Sequence, residues 1–271
     1  MRKTWMRIVP VAMGMAVAMA VALVGCAKKS SDQPKASDAG NTPPAVAVPS
    51  APAGPTVTLS GTVHFEGTPP ERKAIKMSAD DSCHKQHTEP VLTEDVVVGT
   101  GGGLQNVFVS VQTGLEGKTF AVPPDPVTLD QKGCVYYPHV FGIAANQPLR
   151  ILNSDPTLHN VHAIPDNGKG EFNKGMARQG MQITEFLKEL GVVRFKCDVH
   201  PWMQSWGHVM SHPFFGVTDN AGSYKIVNLP PGEYTIQAWH EKLGSQTAKI
   251  TVTAGGAAPV LDFTFKAATG S

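Results

Sequence analysis

The sequence lacks the motifs that mark several common functional classes. It contains no Gly-rich phosphate-binding loop, no Gly-x-Ser-x-Gly nucleophile motif and no Cys-x-x-Cys-His motif for covalent haem attachment. Charged residues make up only 17% of the 271 residues, and the formal net charge is +1. Because no basic patch dominates, we expect no nucleic-acid partner.

Long helical patterns are also scarce. Glycine and proline are instead frequent, with 27 and 22 residues. Together with short runs of alternating apolar and polar residues, this composition is typical of a protein with many strands and turns. The sequence therefore predicts an all-β fold.

The N-terminus has the pattern of an export signal. Three basic residues lie within the first seven positions, and residues 8–24 form a run without charge. The run ends in Leu-Val-Gly-Cys26, which resembles a bacterial lipobox. This resemblance implies that residues 1–25 are removed and that Cys26 carries lipid. A transmembrane anchor is the alternative, although the run is slightly short and contains Pro10.

The resemblance to a lipobox implies a location as well. The chain would be exported and anchored through lipid to a bacterial membrane, facing the periplasm or the cell surface. Residues 26–55 are rich in Pro, Ala and Ser and have no aromatic residue, so we expect a disordered tether there.

A short segment near residue 200 combines three metal-binding side chains. An alternating run that predicts a strand is followed by Cys197, His200 and Met203 at intervals of three residues. Thiolate and thioether sulfur are soft ligands, and imidazole binds copper well. With one more histidine they complete a His2Cys site with a weak axial methionine, which suits copper cycling between Cu(I) and Cu(II).

The second histidine is expected upstream. Residues 149–153 predict a strand. A turn follows, and a further strand is predicted to begin at His159. His159 and His162 are three positions apart and should point to opposite faces of that strand. Asn160, directly after His159, favours His159 as the ligand. His162 would then be a surface residue or a ligand of another site.

Two motifs together resemble the cupredoxin, or blue-copper, family. They are Asn-x-Asp-x-x-x-His-Asn-Val at 153–161 and Cys-x-x-His-x-x-Met at 197–203, and the second is most similar to amicyanin-like members. The resemblance implies a Greek-key β-sandwich or barrel over residues 126–210 and one type 1 copper. It implies that the ligands are His159, Cys197, His200 and Met203.

The same resemblance implies further roles. Asn160 would join the two ligand loops by hydrogen bonds. The protein would carry single electrons to and from a transient redox partner protein. His200 would be the exit for the electron, within an apolar docking patch of neighbouring aromatic and proline residues. Contact between domains is the alternative for these residues, which are Pro201, Trp202, Trp206 and Phe214 or Phe215.

Each candidate ligand also has a purely structural interpretation. Cys197 could be a buried free thiol, His200 could cap a turn, and Met203 could fill space in the core. His139 lies outside the blue-copper pattern, and it is either structural or an extension of the metal site.

Two cysteines remain once Cys26 and Cys197 are assigned. Export favours a disulfide between Cys83 and Cys134. Both have histidines nearby in the sequence, so a second Cys/His metal site is the alternative.

The rest of the chain predicts a second β domain. Residues 56–66 and 106–112 read as strands, and residues 215–238 read as strands separated by turns at 219–222 and 230–232. These segments resemble the carboxypeptidase regulatory-like domain, a transthyretin-like β-sandwich. The resemblance implies one sandwich built from 56–125 and 211–267, with 126–210 inserted. Three consecutive pieces are the alternative.

Three functions are compatible with these patterns. The first is a membrane-anchored electron carrier with one copper. The second is a non-redox lipoprotein that binds a ligand or stores and delivers copper. The third is a copper enzyme such as an oxidase or nitrite reductase. Such enzymes need further histidines, often as His-x-His, and this pair is missing. We therefore expect an electron carrier and no enzyme.

Overall fold

The computed structural model describes residues 54–267, which consist almost entirely of β-strands. This confirms the predicted all-β fold. The predicted signal peptide (1–25), the lipidation site Cys26 and nearly all of the predicted tether (26–55) lie outside the described residues. Within residues 54–267, no helix has the length and apolar character needed to cross a bilayer.

The described part contains sixteen strands and one helix of four residues, α1 (Asp81–His84). In chain order the strands are β1 (Val57–Glu66), β2 (Phe108–Thr113), β3 (Val127–Lys132), β4 (Val135–Tyr137), β5 (Val140–Ala144), β6 (Pro148–Asn153), β7 (His159–Pro165), β8 (Phe172–Met176), β9 (Gln182–Phe186), β10 (Gly191–Lys196), β11 (Gln204–Met210), β12 (Phe215–Val217), β13 (Ser223–Leu229), β14 (Gly232–His240), β15 (Gly244–Val252) and β16 (Phe263–Lys266).

The strands form four sheets that pack in two pairs. One pair has the orders β13-β1-β16 and β12-β2-β14-β15, and we name it the flanking sandwich. The other has the orders β5-β11-β10-β7-β8 and β4-β3-β6-β9, and we name it the central sandwich. Each pair shares its own cluster of buried apolar side chains. Most neighbours are antiparallel, and the parallel pairs are β1 with β16, β5 with β11, and β3 with β6.

The flanking sandwich combines strands from both ends of the described chain. Strand β1 pairs antiparallel with β13, and Gly61 lies opposite Tyr224. Every strand of this sandwich comes from residues 57–113 or 215–266, on either side of the central sandwich. An insertion of the central sandwich into the flanking sandwich would give such pairings. The domain limits at 126 and 210 stay a prediction.

Alternating burial explains how β1 fits between its neighbours. Leu59, Gly61, Val63 and Phe65 point inward, while the residues between them are more exposed. At Gly61 a Cβ atom would lie 1.9 Å from the carbonyl oxygen of Leu261, so only glycine allows this close approach of the two backbones.

The central sandwich carries the four predicted metal ligands, which lie in or between its strands. Leu129 and Ile151 of one sheet and Val161 and Phe195 of the other are fully buried in its core. The paired strands β7 and β10 lie within the larger sheet. The start of β7 and the end of β10 carry the predicted ligands, so the antiparallel pairing brings these two regions to the same end of the sheet.

A segment between β1 and β2 also packs on the central sandwich. Its side chains Ile75, Met77, Cys83 and Val91 join the apolar cluster of that sandwich. This segment lies within residues 56–125, which the sequence assigns to the regulatory-like sandwich. Its position over the other core was not foreseen.

Candidate metal centre

The loop between β10 and β11 brings three predicted ligands together. Lys196 and Gln204 are paired across the two strands, so residues 197–203 form a seven-residue connection. Inside it, the Met203 N–H donates to the His200 carbonyl oxygen at 2.9 Å, and the Cys197 N–H donates to the Met203 carbonyl oxygen at 3.2 Å. These bonds fold the loop back on itself and bury all three side chains.

The upstream histidine completes the group. His159 is the first residue of β7 and is fully buried. Its Nδ1 lies 2.9 Å from the Nδ1 of His200. The Sγ of Cys197 lies 3.8 Å from the same His200 nitrogen, and one ligand atom from each of the three residues lies within 4.8 Å of the others. The structure thus gathers His159, Cys197 and His200, with Met203 buried in the same loop.

Two carboxylates hold the far nitrogens of both imidazole rings. The Nε2 of His159 lies 2.8 Å from Oδ2 of Asp155, and the Nε2 of His200 lies 3.0 Å from Oδ2 of Asp80. A carboxylate that accepts the Nε2–H bond leaves a lone pair on Nδ1. When both imidazoles are neutral, the lone pairs are then on the two Nδ1 atoms that lie 2.9 Å apart beside the Cys197 sulfur.

This donor set fits a transition-metal ion. Two imidazole nitrogens and a thiolate that face one another repel unless a cation or a proton lies between them. Nitrogen and thiolate donors with a buried methionine beside them match copper better than Mg²⁺ or Ca²⁺, which prefer oxygen ligands.

The electrostatics of the site favour the thiolate. Burial disfavours a charged His159, but hydrogen bonds with Asp155 and Cys197 outweigh it and raise the pKa of the imidazole to about 9. Burial also opposes ionisation of Cys197, yet hydrogen bonds from His159 and the His200 backbone bring the pKa of the thiol below its ordinary value. Both shifts in pKa arise from the close approach of His159 and Cys197.

Asn160 connects the two ligand-bearing regions. Its Oδ1 accepts the Asp198 N–H at 2.7 Å and lies 3.3 Å from the Cys197 sulfur. Its Nδ2 donates to the carboxylate of Asp198 at 3.1 Å and to Asn173 at 2.7 Å. The side chain thus fixes the start of β7 against the residues that follow β10.

The two other cysteines form the predicted disulfide. Cys83 and Cys134 are bonded, both are buried, and their Cα atoms are 5.5 Å apart. Neither sulfur is therefore a thiolate ligand, and the alternative of a second Cys/His site at these residues does not hold in this state. Cys197 is the free cysteine of the described residues.

His139 and His162 lie apart from the metal centre. The Nε2 of His139 contacts Glu241, and its Nδ1 lies 3.6 Å from Glu94. His162 is not among the converging ligand atoms, but it contacts Glu171 at 2.5 Å and Asp198, the residue after Cys197, at 3.2 Å. Within residues 54–267, neither histidine belongs to a group of three converging ligand atoms.

The structure buries part of the docking patch that the resemblance implies around His200. His200 is only 2% exposed and Phe214 is buried. Trp206 packs against Trp239 of the flanking sandwich, with ring centroids 5.6 Å apart. The aromatic residues beyond the loop thus serve contact between the two sandwiches, the alternative interpretation of the sequence.

One part of the site was missed entirely by sequence reasoning. Asp155 follows β6 in the quoted motif, and Asp80 lies in a separate segment 120 residues before His200. The aspartate at position three of Asn-x-Asp-x-x-x-His was a usable signal for Asp155. No local pattern indicates Asp80, because its contact with His200 arises only in the folded chain.

Known proteins resemble parts of this chain. Residues 213–266 match the model of the carboxypeptidase regulatory-like domain. No curated protein matches the sequence. Among solved structures, a copper-containing nitrite reductase from Thermus scotoductus is 21% identical over 37% of this chain and 26% of its own, with a TM-score of 0.31. The chain thus spans about a quarter of that enzyme.

Two smaller cupredoxins are also similar. A purple cupredoxin from Nitrosopumilus maritimus is 23% identical over 31% of this chain and 99% of its own, with a TM-score of 0.28. A variant of amicyanin in the Cu(I) state is 18% identical over 33% of this chain and 86% of its own, with a TM-score of 0.30. These likenesses are weak, and the convergence of ligand atoms described above is independent of them.

Proposed function

We propose that the protein binds one copper ion through His159, Cys197, His200 and Met203 and carries single electrons. The observation that supports this most is the convergence of one ligand atom each from His159, Cys197 and His200 within 4.8 Å of one another. The sequence brings Met203 into the same buried loop.

Copper in a His2Cys site supplies a one-electron couple between Cu(I) and Cu(II). The chain contributes rigidity. Its two imidazoles are held from behind by Asp155 and Asp80, and its thiolate is held by the N–H of His200 at 3.4 Å. Because these contacts do not depend on the oxidation state, the ligands need to move little when an electron arrives or leaves.

The burial of the ligands favours an electron carrier over a copper enzyme. An enzyme needs an open position for its substrate, and His159, Cys197 and His200 are each at most 2% exposed. Within residues 54–267, every converging group of ligand atoms lies around His159 and His200. The proposal also includes export, a lipid anchor at Cys26 facing the periplasm or cell surface, and a transient redox partner protein.

The spectrum of the copper-loaded protein tests this function. The full chain, purified in detergent, is titrated with Cu(II) and followed by visible absorption and electron paramagnetic resonance. We expect an intense band at about 600 nm from thiolate-to-copper charge transfer. The band should vanish in Cys197→Ser and persist in His64→Gln, the control with an exposed histidine of β1.

The other outcomes are distinct. Tight copper binding without the band would support storage or delivery, and no binding would overturn the assignment of the site. Metabolic labelling with a radioactive fatty acid, compared with Cys26→Ser, tests the lipid anchor separately.

A further inference from the structure

His200 is shielded by a segment that lies far from it in the sequence. We name residues 77–87, which contain helix α1, the cover segment. The Sγ of Cys83 lies 3.5 Å from the Nε2 of His200, and the Oδ2 of Asp80 lies 3.0 Å from the same nitrogen. Together these contacts leave the imidazole 2% exposed.

The carboxylate of Asp80 is held in place by hydrogen bonds other than its contact with His200. Asp80 is the N-cap of α1, and its Oδ1 accepts the Ser82 N–H at 2.8 Å and also contacts the Ser82 hydroxyl group. Hydrogen bonds with Ser82 and His200 hold the pKa of this carboxyl far below its ordinary value. One oxygen is therefore occupied by the cap, and the other is aimed at the imidazole.

The cover segment is attached to the turn at residues 133–134, which also supports the Asp155 carboxylate beside His159. Its Cys83 is bonded to Cys134. The N–H groups of Gly133 and Cys134 each donate to Asp155 at 2.7 Å, and Asp155 holds the Nε2 of His159. The disulfide thus joins the segment that carries Asp80 to the turn whose N–H groups bind Asp155.

Further contacts keep the segment in place on the same turn. The imidazole of His87 lies 2.7 Å from the carbonyl oxygen of Gly133 through Nε2. The indole N–H of Trp202 donates to the carbonyl oxygen of Cys134 at 2.9 Å, and its ring lies 5.1 Å from that of His200 between centroids. The ligand loop, the disulfide and the cover segment therefore form one interlocked unit.

We propose that Asp80 is a positioning residue of the metal centre and that the disulfide-anchored cover segment keeps water away from His200. The expected effect of Asp80 on copper binding rests on the proposed function. The orientation of the His200 imidazole does not, because it is a property of the metal-free chain. Asp80 holds the proton on Nε2 and leaves the Nδ1 lone pair directed at His159 and Cys197.

The test compares two neighbouring aspartates. Asp80→Ala removes the contact with His200, and Asp80→Asn retains an oxygen that can accept the Nε2–H bond. Asp81→Asn is the matched control, because the Asp81 side chain is 78% exposed and pairs with Lys85 at 2.7 Å. Mass spectrometry verifies that the disulfide between Cys83 and Cys134 is intact in each full-length variant.

The first readout is the tautomer of His200 in the metal-free chain. The tautomer is read from two-bond proton–nitrogen NMR spectra. The signals of the His200 imidazole are identified because they are missing in His200→Gln. We expect a single Nε2–H tautomer in the unmodified chain and in Asp81→Asn, and a mixture of tautomers in Asp80→Ala. Asp80→Asn should retain most of the Nε2–H form.

The second readout is copper affinity. We expect Cu(II) to bind about 10- to 100-fold more weakly to Asp80→Ala, with a shifted charge-transfer band, and to bind Asp81→Asn unchanged. If Asp80→Ala retains the tautomer and the affinity of the control, the positioning role is wrong. If the unmodified chain binds no copper, the proposed function fails, and the tautomer alone decides whether Asp80 orients His200.

Discussion

Asn160 and Asp198 are joined by two hydrogen bonds across 38 positions of the sequence. The Asp198 N–H donates to Oδ1 of Asn160 at 2.7 Å, and the Asn160 amide donates to the Asp198 carboxylate at 3.1 Å. Since Cys197 directly precedes Asp198, this pair fixes the sulfur relative to the start of β7.

Replacing Asn160 should disturb the metal centre without removing a ligand. In Asn160→Ala the Asp198 N–H loses its acceptor, so we expect unfolding to become easier by about 1–3 kcal/mol. We also expect a roughly tenfold or greater loss of Cu(II) affinity, because supporting residues set the ligand geometry. Urea unfolding and copper titration measure the two effects.

The control for this change is Asn167→Ala. The side chain of Asn167 accepts only a local bond from the Lys169 N–H at 2.9 Å and is exposed. Equal copper affinities in the two variants would show that Asn160 does not support the site.

A methyl group at Gly61 should strain the flanking sandwich. The added Cβ would lie 1.9 Å from the carbonyl oxygen of Leu261, and backbone must move to make room. We expect Gly61→Ala to lower the free energy of unfolding by at least about 2 kcal/mol, measured by urea denaturation. Gly175→Ala in β8 is the control, since its Cβ would meet no atom within 4 Å and should change stability by about 0.5 kcal/mol or less. Equal stabilities of the two variants would contradict the close approach of β1 to Leu261.

His139 should make stability depend on pH. The imidazole is buried, which opposes its charge, but Glu241 and Glu94 outweigh burial and raise its pKa above the ordinary value of 6.5. Because the folded state holds the proton more tightly, this contribution is fully present below pH 6.5 and is lost as the pH rises through the pKa in the folded protein. His139→Gln should therefore cost more stability at pH 5.5 than at pH 8.5.

Urea unfolding of the metal-free protein at both pH values measures this difference. Asp95 and Lys242 lie beside the same group, so the comparison uses the same salt concentration throughout. The exposed His64→Gln serves as the control. A loss of stability that is equal at the two pH values would contradict the charged interaction of His139 with its carboxylates.

Local patterns in the sequence predict much of the fold and part of the site. Alternating apolar residues predict strands at 56–66 and 149–153, and the intervals of three between Cys197, His200 and Met203 predict a shared loop. Such patterns succeed because side-chain period and short loops are local properties. The disulfide was predictable from the number of cysteines left over.

The shielding of His200 could not be predicted in the same way. Residues 77–87 contain no strand pattern, and their polar contacts with His200 cross about 120 positions. A loop tip is normally exposed, which is why the sequence predicted a docking surface there. The pairing of His139 with Glu241 is equally distant and has no local signal.

The position of β1 between β13 and β16 has a consequence for how the molecule is made. Residues 102–104 bond to Val63 and Phe65 from about 40 residues away, but its partner strands β13 and β16 lie roughly 160 or more residues downstream, so the sheet around β1 is completed only late in synthesis. The strands between 127 and 210 pair only with one another and can assemble meanwhile. The central sandwich can thus form early, and the flanking sandwich is completed last.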